Sequence, residues 1–340
     1  MSEKSSYAKV GVDVAKSEDA HKRIGELIEN TFSSRDGKPG SVFLGFGHYA
    51  GLIDIGDKLL ALHSDGVGTK VLVAQRLGRY DTVGIDCVAM NVNDLICLGA
   101  EPISLVIYLA LQKLDQEMVS EITRGLVKGA QEAGAAIVGG ETAIMPDIIK
   151  GEGRGFDLAA MSVGILEKNK VVTGEKAKVG DAVVGLASSG IHSNGLTLAR
   201  KVLDEMGMEE ELLEPTRIYV GEILEILGDI DVHGMGHITG GAFTKLRRVI
   251  NGHGMYLDAL PGPPSIFEKI QDVGKICDQE MYRTFNMGVG FALIVDPDDA
   301  PRAIDIAKDH GTEASVIGKV TGDGGIRIKT NSGDIWIERW

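Results

Sequence analysis

Within residues 65–70 the chain reads Asp65-Gly66-Val67-Gly68-Thr69-Lys70, a carboxylate, two glycines, a hydroxyl and an ammonium in one short stretch. Glycine has no Cβ, so its backbone N–H can face a ligand at close range. A carboxylate beside such amides suits a divalent cation, and a lysine suits phosphate oxygens. The stretch therefore reads as a metal–phosphate site. A polar hairpin turn is the competing reading, because Asp-Gly is also a strong turn dipeptide. A Walker A loop is excluded, since both the order Gly-Thr-Lys and the upstream glycine spacing depart from that motif.

Four further stretches carry the same kinds of group. Residues 81–98 form a helix candidate that is apolar almost all round, yet it holds Asp86, Asn91, Asn93 and Asp94. At about 100° per residue, Asp86 and Asn93 share one face and Asp94 sits roughly 80° away. Buried carboxylates are costly unless paired or bound to a metal, so this helix points to a site or to a satisfied polar network at an interface. Gly139-Gly140-Glu141-Thr142 ends a short strand candidate at 135–138. Ser188-Ser189-Gly190-Ile191-His192-Ser193-Asn194-Gly195 precedes a helix expected over 196–206, where backbone amides and the helix dipole suit an anion. Ordinary capping by Ser193 or Asn194 would look the same. His237-Ile238-Thr239-Gly240-Gly241 precedes a helix expected over 242–250. His192 and His237 are candidates for moving a proton, although an isolated histidine is more often a core residue.

Positioning these groups requires a mixed α/β framework. Strands are expected at 52–55, 103–111, 157–166, 181–187 and 291–295, and a closing hairpin sets Ile326 and Ile328 against Ile335 and Ile337. Helices are expected at 17–32 with Ser17 as N-cap, at 115–133 with Asp115 as cap, at 214–228, and between Asp299 and Gly311. Gly45-Phe46-Gly47-His48-Tyr49-Ala50-Gly51 leads into a strand rather than a helix, which excludes a dinucleotide fingerprint and leaves a glycine-rich flap. A charged loop at 167–180 divides the chain into 1–170 and 171–340.

The 340 residues suffice for two cores, and the apolar share of 44% is that of an ordinary globular protein. A net charge of −14 opposes a nucleic-acid or anionic-membrane partner but not a small anionic substrate. Cys87, Cys97 and Cys277 form no CxxC pair, so neither a disulfide framework nor a zinc site is expected. With no signal-peptide pattern, the expected location is the cytoplasm.

Taken in order, these motifs resemble the aminoimidazole ribonucleotide synthetase superfamily, and Pro215-Thr216-Arg217-Ile218-Tyr219 and Met281-Tyr282-Arg283-Thr284-Phe285-Asn286 bring the chain near its ring-closing, purine-synthesis branch. The resemblance runs from about Tyr7 to Gly325. It implies an α+β (mixed α/β) fold: an N-terminal four-stranded, mostly antiparallel sheet forming an intersubunit barrel in a homodimer, and a C-terminal α/β domain completing a cleft. It implies ATP and Mg2+ and allows K+. The activity implied is ATP-dependent closure of formylglycinamidine ribonucleotide to aminoimidazole ribonucleotide. Sibling phosphoryl-transfer enzymes and a catalytically silent nucleotide-binding dimer are the alternatives. On the matching positions, Asp65, Asp94 and Glu141 would hold Mg2+. Gly45, Gly47, Gly66, Gly68, Thr69, Lys70, Asn93, Gly139 and Gly140 would face the nucleotide. Ser189, His192, Ser193, Asn194, Thr239, Gly240, Gly241 and Arg283 would face the substrate, with Lys70, His192 and His237 as the catalytic candidates.

Overall fold

The computed structural model describes residues 23–151, 154–203 and 210–337. The expected cap at Ser17 and the end of the 196–206 helix at Met206 lie outside the described residues.

Two sheets organise the chain. The first has six strands: β1 (Ser41–Leu44), β2 (Gly51–Asp54), β3 (Lys58–Gly66), β4 (Glu101–Leu111), β5 (Ala136–Ile144) and β6 (Phe156–Glu167), in the order β1-β2-β3-β6-β4-β5. All pairs are antiparallel except β4 with β5. The long strands β3, β6, β4 and β5 match the four implied by resemblance, and the β1–β2 hairpin widens the sheet. Residues 139 and 140 do not end a strand, as their glycine pair suggested. They lie inside β5, where Gly139 pairs with Val106 and Gly140 with Ile107 of β4.

Three helices serve this sheet: α1 (Lys70–Leu77), α2 (Asp81–Ile96) and α3 (Gln116–Glu132). The side chain of Asp115 caps α3, accepting from the amides of Glu117 and Met118. Helices α2 and α3 approach backbone to backbone. A Cβ on Gly125 would lie 1.8 Å from the carbonyl oxygen of Asp81, so only glycine fits there. That close approach helps bury α2, whose residues 82–96 are all buried.

The second sheet has seven strands: β7 (Ala182–Ala187), β8 (Val232–His237), β9 (Gly254–Leu257), β10 (Val289–Val295), β11 (Ala314–Thr321), β12 (Ile326–Thr330) and β13 (Gly333–Ile337), in the order β13-β12-β9-β11-β7-β10-β8. Its closing hairpin has the expected register, Ile326 opposite Ile337 and Ile328 opposite Ile335. Helices α4 (Leu196–Leu203), α5 (Val220–Asp229), α6 (Ser265–Gly274), α7 (Asp278–Thr284) and α8 (Ala300–Asp309) flank it, together with a 3-10 helix, Ala242–Val249, where an α-helix was expected.

The expected helix over 214–228 begins only at Val220. Residues 215–219 run outside a helix because α2 side chains take their backbone groups. The Thr216 amide donates to Asp86, and the Tyr219 amide donates to Asn93. One core cluster includes residues from both halves, from Val67 and Val92 to Tyr219 and Phe291. None of the described helices is long and apolar enough to cross a membrane.

Candidate active site at the seam of the two halves

Helix α2 presents one polar face to the second half, and its two carboxylates meet very different surroundings. Asp86 is closed off. The ammonium of Lys70 lies 2.9 Å from each of its oxygens and donates to the carbonyl of Glu214 at 2.5 Å. Thr216 gives it two more bonds, 2.8 Å from the amide and 2.6 Å from the hydroxyl, and the Ser193 hydroxyl gives another at 3.1 Å. Lys70 and Asp86 are both inaccessible to solvent. Burial pushes the Lys70 amine down, and the Asp86 charge opposes that shift. Lys70, expected to meet phosphate, is instead a buried tie between the halves.

Two helical turns beyond Asp86, the surroundings change. Asn93 holds the second half by donating to the Arg217 carbonyl at 2.8 Å and accepting from the Tyr219 amide at 3.0 Å. Asp94 accepts from Nδ1 of His237 at 2.8 Å, and Nε2 of His63 stands 3.6 Å from its other oxygen. Burial alone would raise the Asp94 carboxyl, but the Lys245 ammonium, the His237 hydrogen bond and His63 together hold it at about 2. Burial pushes the His237 imidazole down, so the ring is neutral, donating from Nδ1 to Asp94 and accepting at Nε2 from Asn93 at 3.3 Å. With both nitrogens occupied, His237 orients Asp94 rather than standing free to move a proton.

Asp65 reaches this cluster from the end of β3. Its backbone is clamped by Asn91, which donates to the Asp65 carbonyl at 3.0 Å and accepts from its amide at 3.1 Å. Burial raises the Asp65 carboxyl, and the nearby Asp94 charge raises it further. Two mutually repelling carboxylates at a glycine loop are a cation's natural ligands. The loop itself is short: β3 ends at Gly66, Gly68 takes a left-handed turn with φ 68°, and α1 begins at Lys70. Thr69 and Gly68 are exposed.

Glu141 does not join these carboxylates. The sheet register runs from Asp65 through Ala160 and Ile107 to Gly140. Three strand spacings put Glu141 roughly 14 Å from Asp65. Among the described residues no three His, Cys, Asp or Glu side chains are grouped to hold a metal. The expected three-carboxylate set is therefore not assembled within one chain.

The substrate-facing candidates gather beside α2. His192 is fully buried with φ 59°, and its Nε2 accepts from the Ser189 amide at 3.2 Å. Burial above all, with the Lys70 and Arg217 charges adding to it, holds it well below the usual imidazole range. Gly240 abuts Asn194 so closely that a Cβ would lie 2.8 Å from the Asn194 amide oxygen. Nδ2 of Asn194, Nδ1 of His192 and Nε of Arg283 are buried without hydrogen-bond partners among the described residues. Such atoms mark where a polar ligand would be met. Gly45 and Gly47 lie in the β1–β2 turn, which Tyr49 pins to the second half through a 3.5 Å bond from its hydroxyl to the Lys245 carbonyl.

Comparison with known proteins decides the family. Residues 47–166 match the N-terminal domain, and residues 178–331 the C-terminal domain, of AIR synthase related proteins. A phosphoribosylformylglycinamidine cyclo-ligase from Thermococcus gammatolerans is 50% identical over 333 residues, spanning 95% of this chain and 97% of that one. The chain belongs to the AIR synthase related family. A cyclo-ligase from Methanocaldococcus jannaschii is 48% identical over 329 residues, spanning 92% of this chain and 91% of that one. Hydrogenase maturation protein HypE in complex with ATP shares the fold at a TM-score of 0.64 and 19% identity, over 93% of this chain and 94% of that one. Thiamine-monophosphate kinase from Stenotrophomonas maltophilia does so at 0.62 and 16%, over 88% and 94%.

Three groups of this AIR synthase related protein escaped the reading of its sequence. His63 and Lys245 both act on Asp94, and Asn286 shapes the Ser188–Gly190 loop by accepting from the Ser188 hydroxyl at 3.0 Å and donating to the Gly190 carbonyl at 2.9 Å. His63 was legible in principle, because it lies two residues before Asp65 and so on the same face of β3. Lys245 carried no signal beyond lying near Thr239-Gly240-Gly241.

Proposed function

We infer that this protein is an ATP-dependent phosphoribosylformylglycinamidine cyclo-ligase of purine biosynthesis. The observation that carries this reading is 50% identity to a cyclo-ligase across nearly the whole of both chains. The gathering of the acidic and glycine motifs at one seam supports it, and favours an active enzyme over a silent scaffold.

The reaction transfers the γ-phosphoryl group of ATP to the formyl oxygen of formylglycinamidine ribonucleotide. The amidine nitrogen bearing the ribose then attacks the activated carbon, loses its proton and expels inorganic phosphate, closing the imidazole ring. Attack within one molecule makes alignment worth an effective molarity on the order of 10⁵ M or more. The Ser189–Asn194 loop and Thr239-Gly240-Gly241 are read as holding the substrate, and the 65–69 loop as facing the nucleotide. A solved relative of this fold is an ATP complex, which fits a nucleotide at the glycine loop.

Asp65 and Asp94 suit Mg2+, which typically takes one or two carboxylates together with substrate phosphates. Bound there, the ion would neutralise phosphate charge. His237 and His63 would keep Asp94 ionised and aimed.

The protein is read as a cytoplasmic homodimer. Strand β5 is an edge strand exposed along nearly its whole length, with Val138 66% and Ile144 55% accessible. Tyr108 and Met161 continue an apolar patch on the same sheet. Apolar edges of this kind call for a cover, and a second copy would bring Glu141 to the interface. The two domains are taken as 1–170 and 171–340.

The test is stoichiometry. ADP and phosphate should each appear one-for-one with aminoimidazole, detected by diazo coupling of the product amine. ATP hydrolysis without product amine would refute the assignment.

A further inference from the structure

Lys245 and Arg248 lie three residues apart on the 3-10 helix Ala242–Val249. Such a helix has three residues per turn, so the two side chains leave from one face. That face meets the glycine-rich β1–β2 turn of the first half. The Lys245 ammonium stands 5.8 Å, and the Arg248 guanidinium carbon 5.5 Å, from the centre of the buried Tyr49 ring. Arg248 also donates to the His48 carbonyl at 3.5 Å, and Lys245 donates to the Thr239 hydroxyl. Neither cation is ion-paired with a carboxylate among the described residues, although the chain has 49 acidic residues against 35 basic ones. A ring face attracts a cation but has no net charge, so the repulsion between the two stays uncompensated.

The loops read as holding the substrate adjoin this pair. Thr239 links Lys245 to Gly240, and Gly240 packs on Asn194, whose Nδ2 is buried without a partner among the described residues. The amides of Gly240 and Gly241 likewise donate to no group among the described residues. Two neighbouring cations and two free amides supply the charge and the donors that a phosphate monoester takes. We propose that Lys245 and Arg248 form the site for the ribose phosphate of the substrate ribonucleotide, with the Gly240 and Gly241 amides as further donors. This deepens the cyclo-ligase reading and rests on it. The site binds only: no bond forms or breaks at that phosphate, which holds the ribose end while the formyl oxygen is phosphorylated elsewhere on the same molecule.

The experiment compares formylglycinamidine ribonucleotide with the riboside that lacks its phosphate. Lys245→Met and Arg248→Met should each raise the KM of the ribonucleotide by about 10–100-fold, with the KM of ATP changed less than about threefold. Turnover of the riboside should match that of wild type within about twofold, and Arg248→Lys should recover part of the ribonucleotide KM. Equal losses on ribonucleotide and riboside would make the two residues structural and overturn the proposal. So would a rise confined to the KM of ATP, which would give the cations to the triphosphate. If the wild type forms no aminoimidazole, the cyclo-ligase reading fails, and calorimetry with ribose 5-phosphate then judges the site by itself. Its binding to wild type should weaken at least about tenfold in either Met variant, and equal binding refutes the assignment.

Discussion

The two ends of the polar face of α2 use the same residue type for opposite purposes. Asp86 is sealed in by Lys70, Thr216 and Ser193, whose donors converge on one carboxylate oxygen, whereas Asp94 keeps one strong hydrogen bond and several charges at a distance. A carboxylate shut off from solvent and ion-paired to a buried lysine can tie two halves together but leaves no room for a ligand. One stabilised largely by distant charge retains lone pairs for a ligand. What separates structure from chemistry on this helix is the number of donors that the second half brings to each position.

That contrast can be broken at its structural end. Lys70→Met should cost about 3–5 kcal/mol in denaturant unfolding, because it strands a buried charge. Adding Asp86→Leu should recover most of the loss. If Lys70→Met instead keeps full stability and loses activity alone, the distinction between the two ends is lost.

At the other end, Asp94→Asn should lower kcat by about 100-fold, with a shift in unfolding midpoint far smaller than that of Lys70→Met. Retained turnover at limiting Mg2+ would remove Asp94 from the site.

A subtler test uses His192, buried between the two ends. Its folded imidazole titrates well below 6.5, so the unfolded chain binds the extra proton first. Stability present above pH 6.5 is therefore lost as pH falls below it, at about 1.4 kcal/mol per unit until the folded ring protonates. His192→Gln should flatten the stability-against-pH curve in that window, leaving a residual slope from His237, whose imidazole is also lowered. An unchanged slope would show that the ring is not held neutral.

The smallest effect belongs to Ser193, whose 3.1 Å bond is one of several on Asp86. Ser193→Ala should cost about 1 kcal/mol of stability. A kcat loss far beyond what that destabilisation explains would show that the Ser193 hydroxyl itself, and not only its loop, meets the substrate.

Much of this arrangement follows from short-range pattern. The spacing of Asp86, Asn93 and Asp94 puts them on neighbouring faces of one helix wherever that helix packs. The cap at Asp115, the register of the closing hairpin and the turn at Gly68 likewise depend on residues a few positions apart. Such features are local, so periodicity and turn chemistry suffice to read them.

Other features required contacts between distant parts of the chain. Residues 215–219 look helical by composition, but Asp86 and Asn93 claim two of their amides. Glu141 looks like a third metal ligand until strand order separates it from Asp65. Lys70 looks free for phosphate until the docked second half supplies a partner 144 residues away in sequence. Lys245 has no motif of its own, and its charge matters only because folding brings it to the Tyr49 ring. The sequence by itself determined which groups are available and which face of an element they share. Only the tertiary structure decided which charges are spent on holding the halves together and which remain for a ligand, because that depends on donors from residues that no local pattern connects.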